Sequence, residues 1–184
     1  MSTGWIIIGI VGIIVLYVII VFNSLITLKI RIKNAFSQID VQLKRRADLI
    51  PNLIESVKGY MKHERGVLTE VTKARTAMMN AKGIDAKIDK SNQLAGALKT
   101  LFAVAESYPQ LKANENFLQL QEELAGTENK IAYSRQFYND SVTDYNISIK
   151  RFPTNIFANL MHFIEEKLLE TPASERKAVK VKFE

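Results

Sequence analysis

The sequence predicts an all-α protein: a single N-terminal transmembrane helix followed by an antiparallel bundle of long helices. Two observations predict it. The first is an uninterrupted apolar run near the start, GWIIIGIVGIIVLYVIIVF at residues 4–22, with no charged side chain before Lys29. The second is helical spacing of apolar residues through the rest of the 184 residues, with alternation confined to the closing AVKVKFE.

An α-helix rises about 1.5 Å per residue and the hydrocarbon core is about 30 Å thick, so roughly 20 apolar residues suffice to cross it. Trp5 lies near one end of the run, where an aromatic ring favours the interface. A cleaved signal peptide would carry a basic start and a small-residue cleavage site. This chain has no Lys or Arg before the run, and the segment after Phe22, NSLITLKIRIK, continues apolar and helical. The expected element is an uncleaved anchor occupying residues 1–28 with its flank. Positive charge follows it at Lys29, Arg31 and Lys33, then at Lys44, Arg45 and Arg46. The positive-inside rule therefore predicts an inner (cytoplasmic) membrane protein, N-terminus outside and body in the cytoplasm. Those cations either fix topology alone or also attract anionic headgroups. Gly9 and Gly12 are three apart, so the span lacks GxxxG and hints only weakly at self-association.

The bundle is expected over residues 29–170, with 171–184 as a tail. In the first stretch Ile32, Phe36, Ile39, Leu43, Ile50, Leu53, Val57, Tyr60, Val67, Val71, Ala74 and Met78 fall at three- and four-residue steps. Arg46 and Glu64 fill the two gaps of this seam. The seam keeps its phase through Pro51, which predicts that the proline bends one long helix running to Lys82-Gly83; a break at Pro51 is the alternative. A second helix is predicted over roughly 85–107, ending at Tyr108-Pro109. A third covers roughly 114–150, with Phe117, Leu124, Ile131, Tyr138 and Tyr145 recurring every seven residues. A fourth, amphipathic piece covers roughly 154–169 after Phe152-Pro153, and the tail could be extended. Long helices on short loops pack as antiparallel neighbours.

The same register places Arg46, Glu64, Glu128 and Arg135 at seam positions. A charge facing a bundle core is costly unless paired, so a buried polar layer is expected, with Glu128 paired to Arg46 or Arg135. The alternative is that the charges reach the rim and their stems cover apolar surface.

Several chemistries are excluded by composition. There is no cysteine, which removes disulfides, thiol nucleophiles and Cys-ligated metals. HERGV at 63–67 lacks the second histidine of a zincin site. GxxxxGK[ST], GxGxxG and GxSxG are absent. Glu122-Glu123 and Glu165-Glu166 are adjacent on helices and diverge by about 100°. His162 beside Met161 reads as an interfacial residue rather than a haem ligand. No cofactor and no catalytic residue is expected. The net charge of +6 is interspersed with acids, and the KRR at 44–46 points around its helix rather than forming a flat patch, so no nucleic-acid partner is expected.

FSQIDVQLKRRADLIPNLIESVKGYMKHE at 36–64, YPQLKANENFLQLQEELAGTENKIAYSRQFYNDSVTDYN at 108–146 and FPTN at 152–155 resemble the LemA family. The resemblance covers essentially the whole chain. It departs at Phe22-Asn23-Ser24, where that family more often shows Tyr-Asn. It implies a bacterial single-pass membrane protein with a helical bundle, MamQ-like, working in membrane organisation as a scaffold or adaptor. It also implies, as an alternative, an accessory factor of an HtpX-type membrane metalloprotease in envelope quality control. Expected partners are thus the bilayer through residues 4–22 and membrane or membrane-proximal proteins. The residues carrying the family pattern are Asp40, Gln42, Arg45, Arg46, Asp48, Pro51, Asn52, Glu122, Glu128, Asn129, Arg135, Tyr138, Asn139 and Asn146. They serve either helix register and packing or a partner surface near the Pro51 bend.

Overall fold

In the computed structural model the described residues are 2–170, and no strand occurs among them. The helices are α1 (Ser2–Lys58), α2 (Arg65–Asn80), α3 (Ile84–Ala105), α4 (Pro109–Lys112), α5 (Glu115–Lys150) and α6 (Thr154–Leu160). They contribute to two compact units. Among the described residues, one comprises 2–37 and 134–168, and the other comprises 38–133 with 169 and 170. The expected extended tail lies outside the described residues.

In the 38–133 unit the helices run up, down, up, down. Arg75 of α2 reaches back to Ala47 of α1, so α2 is antiparallel to α1. Asp40 and Arg46 of α1 meet Lys87 and Ser91 of α3 in the same order, so α3 runs parallel to α1. Tyr60 of the α1–α2 turn meets Asn114, and Arg46 meets Glu128, so α5 descends again. Asn114 caps α5 by accepting from the Phe117 N–H at 3.1 Å, supplying a partner that the first turn of a helix lacks. The core is aliphatic: Ile39, Leu43, Ile50, Leu53, Val71, Leu94, Leu101 and Leu124 are buried. Phe102 and Phe117 meet edge to face at 5.9 Å, the arrangement their ring quadrupoles favour.

Pro51 lies inside α1, and the helix ends seven residues later at Lys58. The expected single helix from the seam to Lys82 is therefore corrected: residues 59–64 form a turn and α2 runs back. The Tyr60 and Met61 N–H groups both bond the Val57 carbonyl, closing α1, and Met61 is buried as the plug of the corner. Gly59 sits at the break, where the helix is weakest. Two seam positions lose their role: Tyr60 is exposed, and half-buried Glu64 accepts from the Tyr108 hydroxyl at 3.3 Å.

In the other unit α1 and the end of α5 are antiparallel, as the Arg31–Asp144 and Tyr17–Thr154 contacts show. Leu25, Ile32, Tyr138, Val142 and Tyr145 are buried there. The fourth piece is also corrected. It is helical only over Thr154–Leu160; a turn follows with His162 at φ 57, and residues 163–170 have no regular secondary structure. The physical reason is that α5 offers this strap better partners than its own helix would. Tyr145 donates to the Ile164 carbonyl at 3.0 Å, and Tyr138 reaches the Lys167 carbonyl at 3.4 Å. Asn146 both accepts from the Glu166 N–H at 3.0 Å and donates to its carbonyl at 2.9 Å.

The apolar helix stands out by its exposure. In its most apolar 18-residue window only 6% is buried, and Trp5, Ile8 and Ile13 are more than three-fifths exposed. A core helix of a soluble protein would bury such side chains, which each forfeit roughly 1.5–3 kcal/mol when left in water. α1 is the one candidate span among the described residues, and it anchors the chain in a membrane.

Candidate functional site

The family-pattern residues separate into an inward group and an outward group. Arg46 leads the first. It is 4% exposed, and its Nη1 lies 2.5 Å from Oε2 of Glu128 and 3.4 Å from the Ser91 hydroxyl. Burial pulls the Arg46 pKa down and the Glu128 carboxylate draws it back up. Arginine nonetheless stays charged, so the cost of its burial must be met by this pair. Of the two partners that the register allowed for Glu128, Arg46 is the one that the geometry supplies. Asp40 pairs with Lys87, and Gln42 is half-buried with its Oε1 shut away from solvent.

Tyr138 and Asn146 hold the strap described above. Burial, and then the nearby Glu166 carboxylate, push the Tyr145 phenol above its ordinary pKa, so it remains a donor. Arg135 and Asn139 are half-buried on α5, each engaged by another group. These inward residues make their bonds within the protein.

Pro51 links the two groups. Its ring nitrogen carries no hydrogen, so the carbonyl four residues earlier, that of Ala47, loses its helical donor. Arg75 Nε donates to that carbonyl at 2.8 Å. Sequence reasoning missed Arg75, together with Lys87 and Ser91. The Ala47 carbonyl orphaned by Pro51 was the signal available for Arg75; which residue would reach it depended on the α1–α2 reversal.

The outward group consists of Arg45, Asp48, Pro51, Asn52, Glu122 and Asn129, all exposed. Arg45, Asp48 and Asn52 follow exposed Val41 at steps of four, three and four, so they form one stripe along α1. Asn52 also borders a groove of about 620 Å³ with Leu49, Glu55, Asn114, Gln119 and Glu123. Glu122 and Asn129 are seven apart on one face of α5, between exposed Leu118 and Tyr133. The KRR at 44–46 divides as its helical spacing requires, with Arg46 inward and Lys44 and Arg45 outward. No group of three or more metal-ligating side chains occurs among the described residues.

A LemA family model matches residues 35–183. Protein LemA of Metamycoplasma hominis is 29% identical over 163 residues, covering 84% of this chain and 71% of that protein. Magnetosome protein MamQ 2 of Paramagnetospirillum magneticum is 24% identical over 181 residues, covering 84% of this chain and 66% of the relative. MamQ of Magnetospirillum gryphiswaldense is 23% identical over the same shares. With the family model spanning nearly all of the chain beyond the apolar run, and a body built of helices among the described residues behind a membrane helix, the chain belongs to the LemA family.

Proposed function

We propose that this protein is a membrane-anchored scaffold that acts by protein–protein contact and not by catalysis, presenting the outward stripe of α1 to a membrane or membrane-proximal protein. One observation carries the reading. Residues of the family pattern whose side chains make no bond among the described residues, Arg45, Asp48 and Asn52, lie together on one exposed helix face beside a groove. Exposed polar residues at helical spacing with an apolar neighbour, Val41, fit recognition by a partner helix. The anchor holds that face at the bilayer and raises its effective concentration there. The similarity to MamQ, a magnetosome protein by name, supports work at a membrane.

A photo-crosslinking amino acid placed at Arg45, Asn52 or Glu122 in the full-length chain, in native membranes, tests the reading. It should give a discrete adduct with one protein, and the same probe at His63, exposed in the α1–α2 turn, should not. Equal or no adducts at all four positions would end the proposal. Adducts with a membrane protease alone would turn it into the accessory-factor reading.

The cations after the span support an N-out orientation with the body in the cytoplasm. Because the chain has no cysteine, single cysteines report topology cleanly. A membrane-impermeant maleimide should label Thr3→Cys on intact cells and His63→Cys only after permeabilisation. The reverse pattern would invert the topology.

A further inference from the structure

We propose that residues 152–164 are a second membrane-contacting element, a short re-entrant turn set into the lipid of one leaflet beside the anchor. This rests on the reading that the apolar run crosses the bilayer. Tyr17 lies within that run, yet its hydroxyl meets the Thr154 hydroxyl at 3.4 Å and its ring meets Phe157 at 5.7 Å. Phe22, at the end of the run, meets Phe163 edge to face at 6.1 Å.

Depth follows from helix rise. Taking the apolar boundary at Phe22, or at Leu25 by counting about 30 Å from Trp5, Tyr17 lies about 7–12 Å inside it. Thr154 and Phe157 are held beside Tyr17 and share that depth. Charged residues bracket the segment on both sides: Lys150 pairs with Glu165 at 2.9 Å, and Lys29 with Glu166 at 3.8 Å. These pairs sit at headgroup level, where long cationic stems reach the polar region. The chain thus passes from a charged level into the apolar layer and back within about 15 residues, a length suited to an interfacial dip and too short for a span.

The polarity of the turn is inverted relative to a soluble helix. Phe152 is 76% exposed, Ile156 55%, Leu160 73% and Ile164 70%. Ile156 and Leu160 are four apart and share one outward face. Thr154 and Asn155 are half-buried instead, with Asn155 Oδ1 shut away from solvent. Asn159 and His162 are the outward polar groups, consistent with interfacial rather than central depth.

The backbone is prepared for an apolar setting as well. Asn155 N bonds Arg151 O at 2.9 Å, Met161 N bonds Phe157 O at 2.9 Å, and Phe163 N bonds Ala158 O at 3.0 Å. Backbone N–H groups at membrane depth must find partners within the protein, as these do. The exposed apolar face is continuous with the anchor that already contacts lipid, so lipid is its occupant.

The test uses single cysteines at Ile156, Leu160, Ile10 and His63 in the full-length chain. Each carries an environment-sensitive fluorophore, in phosphatidylcholine–phosphatidylglycerol vesicles. Acyl-chain nitroxide lipids should quench the probes at Ile156 and Leu160 several-fold more than aqueous iodide does, as at Ile10, with the opposite ratio at His63. If Ile156 and Leu160 follow His63, or escape both quenchers because protein covers them, the proposal fails while the anchor stands. If Ile10 is also quenched by iodide, the anchoring reading itself falls and takes the proposal with it. A matching helical circular dichroism signal for each variant excludes misfolding, and Phe152→Cys supplies a further position on the same face.

Discussion

Replacing Glu128 with leucine is expected to lower the melting temperature of the full-length protein in detergent by about 5–10 °C, equivalent to roughly 2–3 kcal/mol. The companion change, Arg46→Met, is expected to cost less than about 1 kcal/mol. The asymmetry comes from exposure. The Glu128 side chain is 47% exposed, whereas that of Arg46 is 4% exposed. When Arg46 is removed, the carboxylate can turn to water, and methionine fills the space left by the stem with an adaptable apolar chain. When Glu128 is removed, the guanidinium keeps only the Ser91 hydroxyl at 3.4 Å and cannot reach solvent. An unpaired buried charge is costly out of proportion to what the pair contributes. The partial exposure of Glu128 discounts the figure below that of a wholly buried pair. Thermal unfolding followed at 222 nm reads both variants. Equal losses would mean that the pair is a rim contact and has no role in fixing the bundle.

That pair also marks how far the sequence could be read. Arg46 and Glu128 were legible because both occupy seam positions in a pattern whose period is local, and a charge on a seam demands a partner. The span was legible for the same kind of reason: its length and apolarity are properties of contiguous residues. The seven-residue recurrence from Phe117 to Tyr145 likewise translated directly into buried positions. The failures share one cause. Apolar spacing records which residues face a core, and it does not record where the chain turns. Val67, Val71 and Met78 resume the phase of α1 after the turn at 59–64, so one long helix and a reversal read alike. In the same way Phe163, Ile164 and Leu168 are spaced for a helix, but the strap is fixed by Tyr138, Tyr145 and Asn146 from another helix. Of the site, the residues could be named, but their division into inward and outward groups depended on packing. Asp40 and Asp48 look equivalent in sequence; only the position of Lys87 separates them.

Arg75 and Pro51 should prove thermodynamically coupled, because the proline creates the vacancy that the arginine fills. In the native sequence Arg75→Met leaves the Ala47 carbonyl without its 2.8 Å donor. A lost hydrogen bond from a charged donor costs about 1.5–3 kcal/mol, and the half-buried position of Arg75 places the expected loss toward the lower end. Pro51→Ala restores an N–H at position 51 and with it the helical bond to Ala47. It also replaces a poor helix residue with the best one, so the single variant is expected to be as stable as the parent or more so. In that background the same Arg75→Met change should cost less than about 0.5 kcal/mol, giving a coupling energy of roughly 1 kcal/mol or more. Melting temperatures of the four proteins complete the cycle. Additive losses would show that Arg75 acts only through its stem packing. A coupling of the expected size would explain why a proline can sit inside α1 without ending it: the bond it removes is replaced from α2, which fastens this turn of α1 to the helix that returns beside it. Restoring the local bond should then make that fastening dispensable, and the α1–α2 corner should stay as closed without Arg75 as with it. Amide exchange of Met61, whose N–H bonds Val57 at 2.9 Å, should be faster in Arg75→Met than in the parent and nearly the same in the doubly substituted protein as in Pro51→Ala.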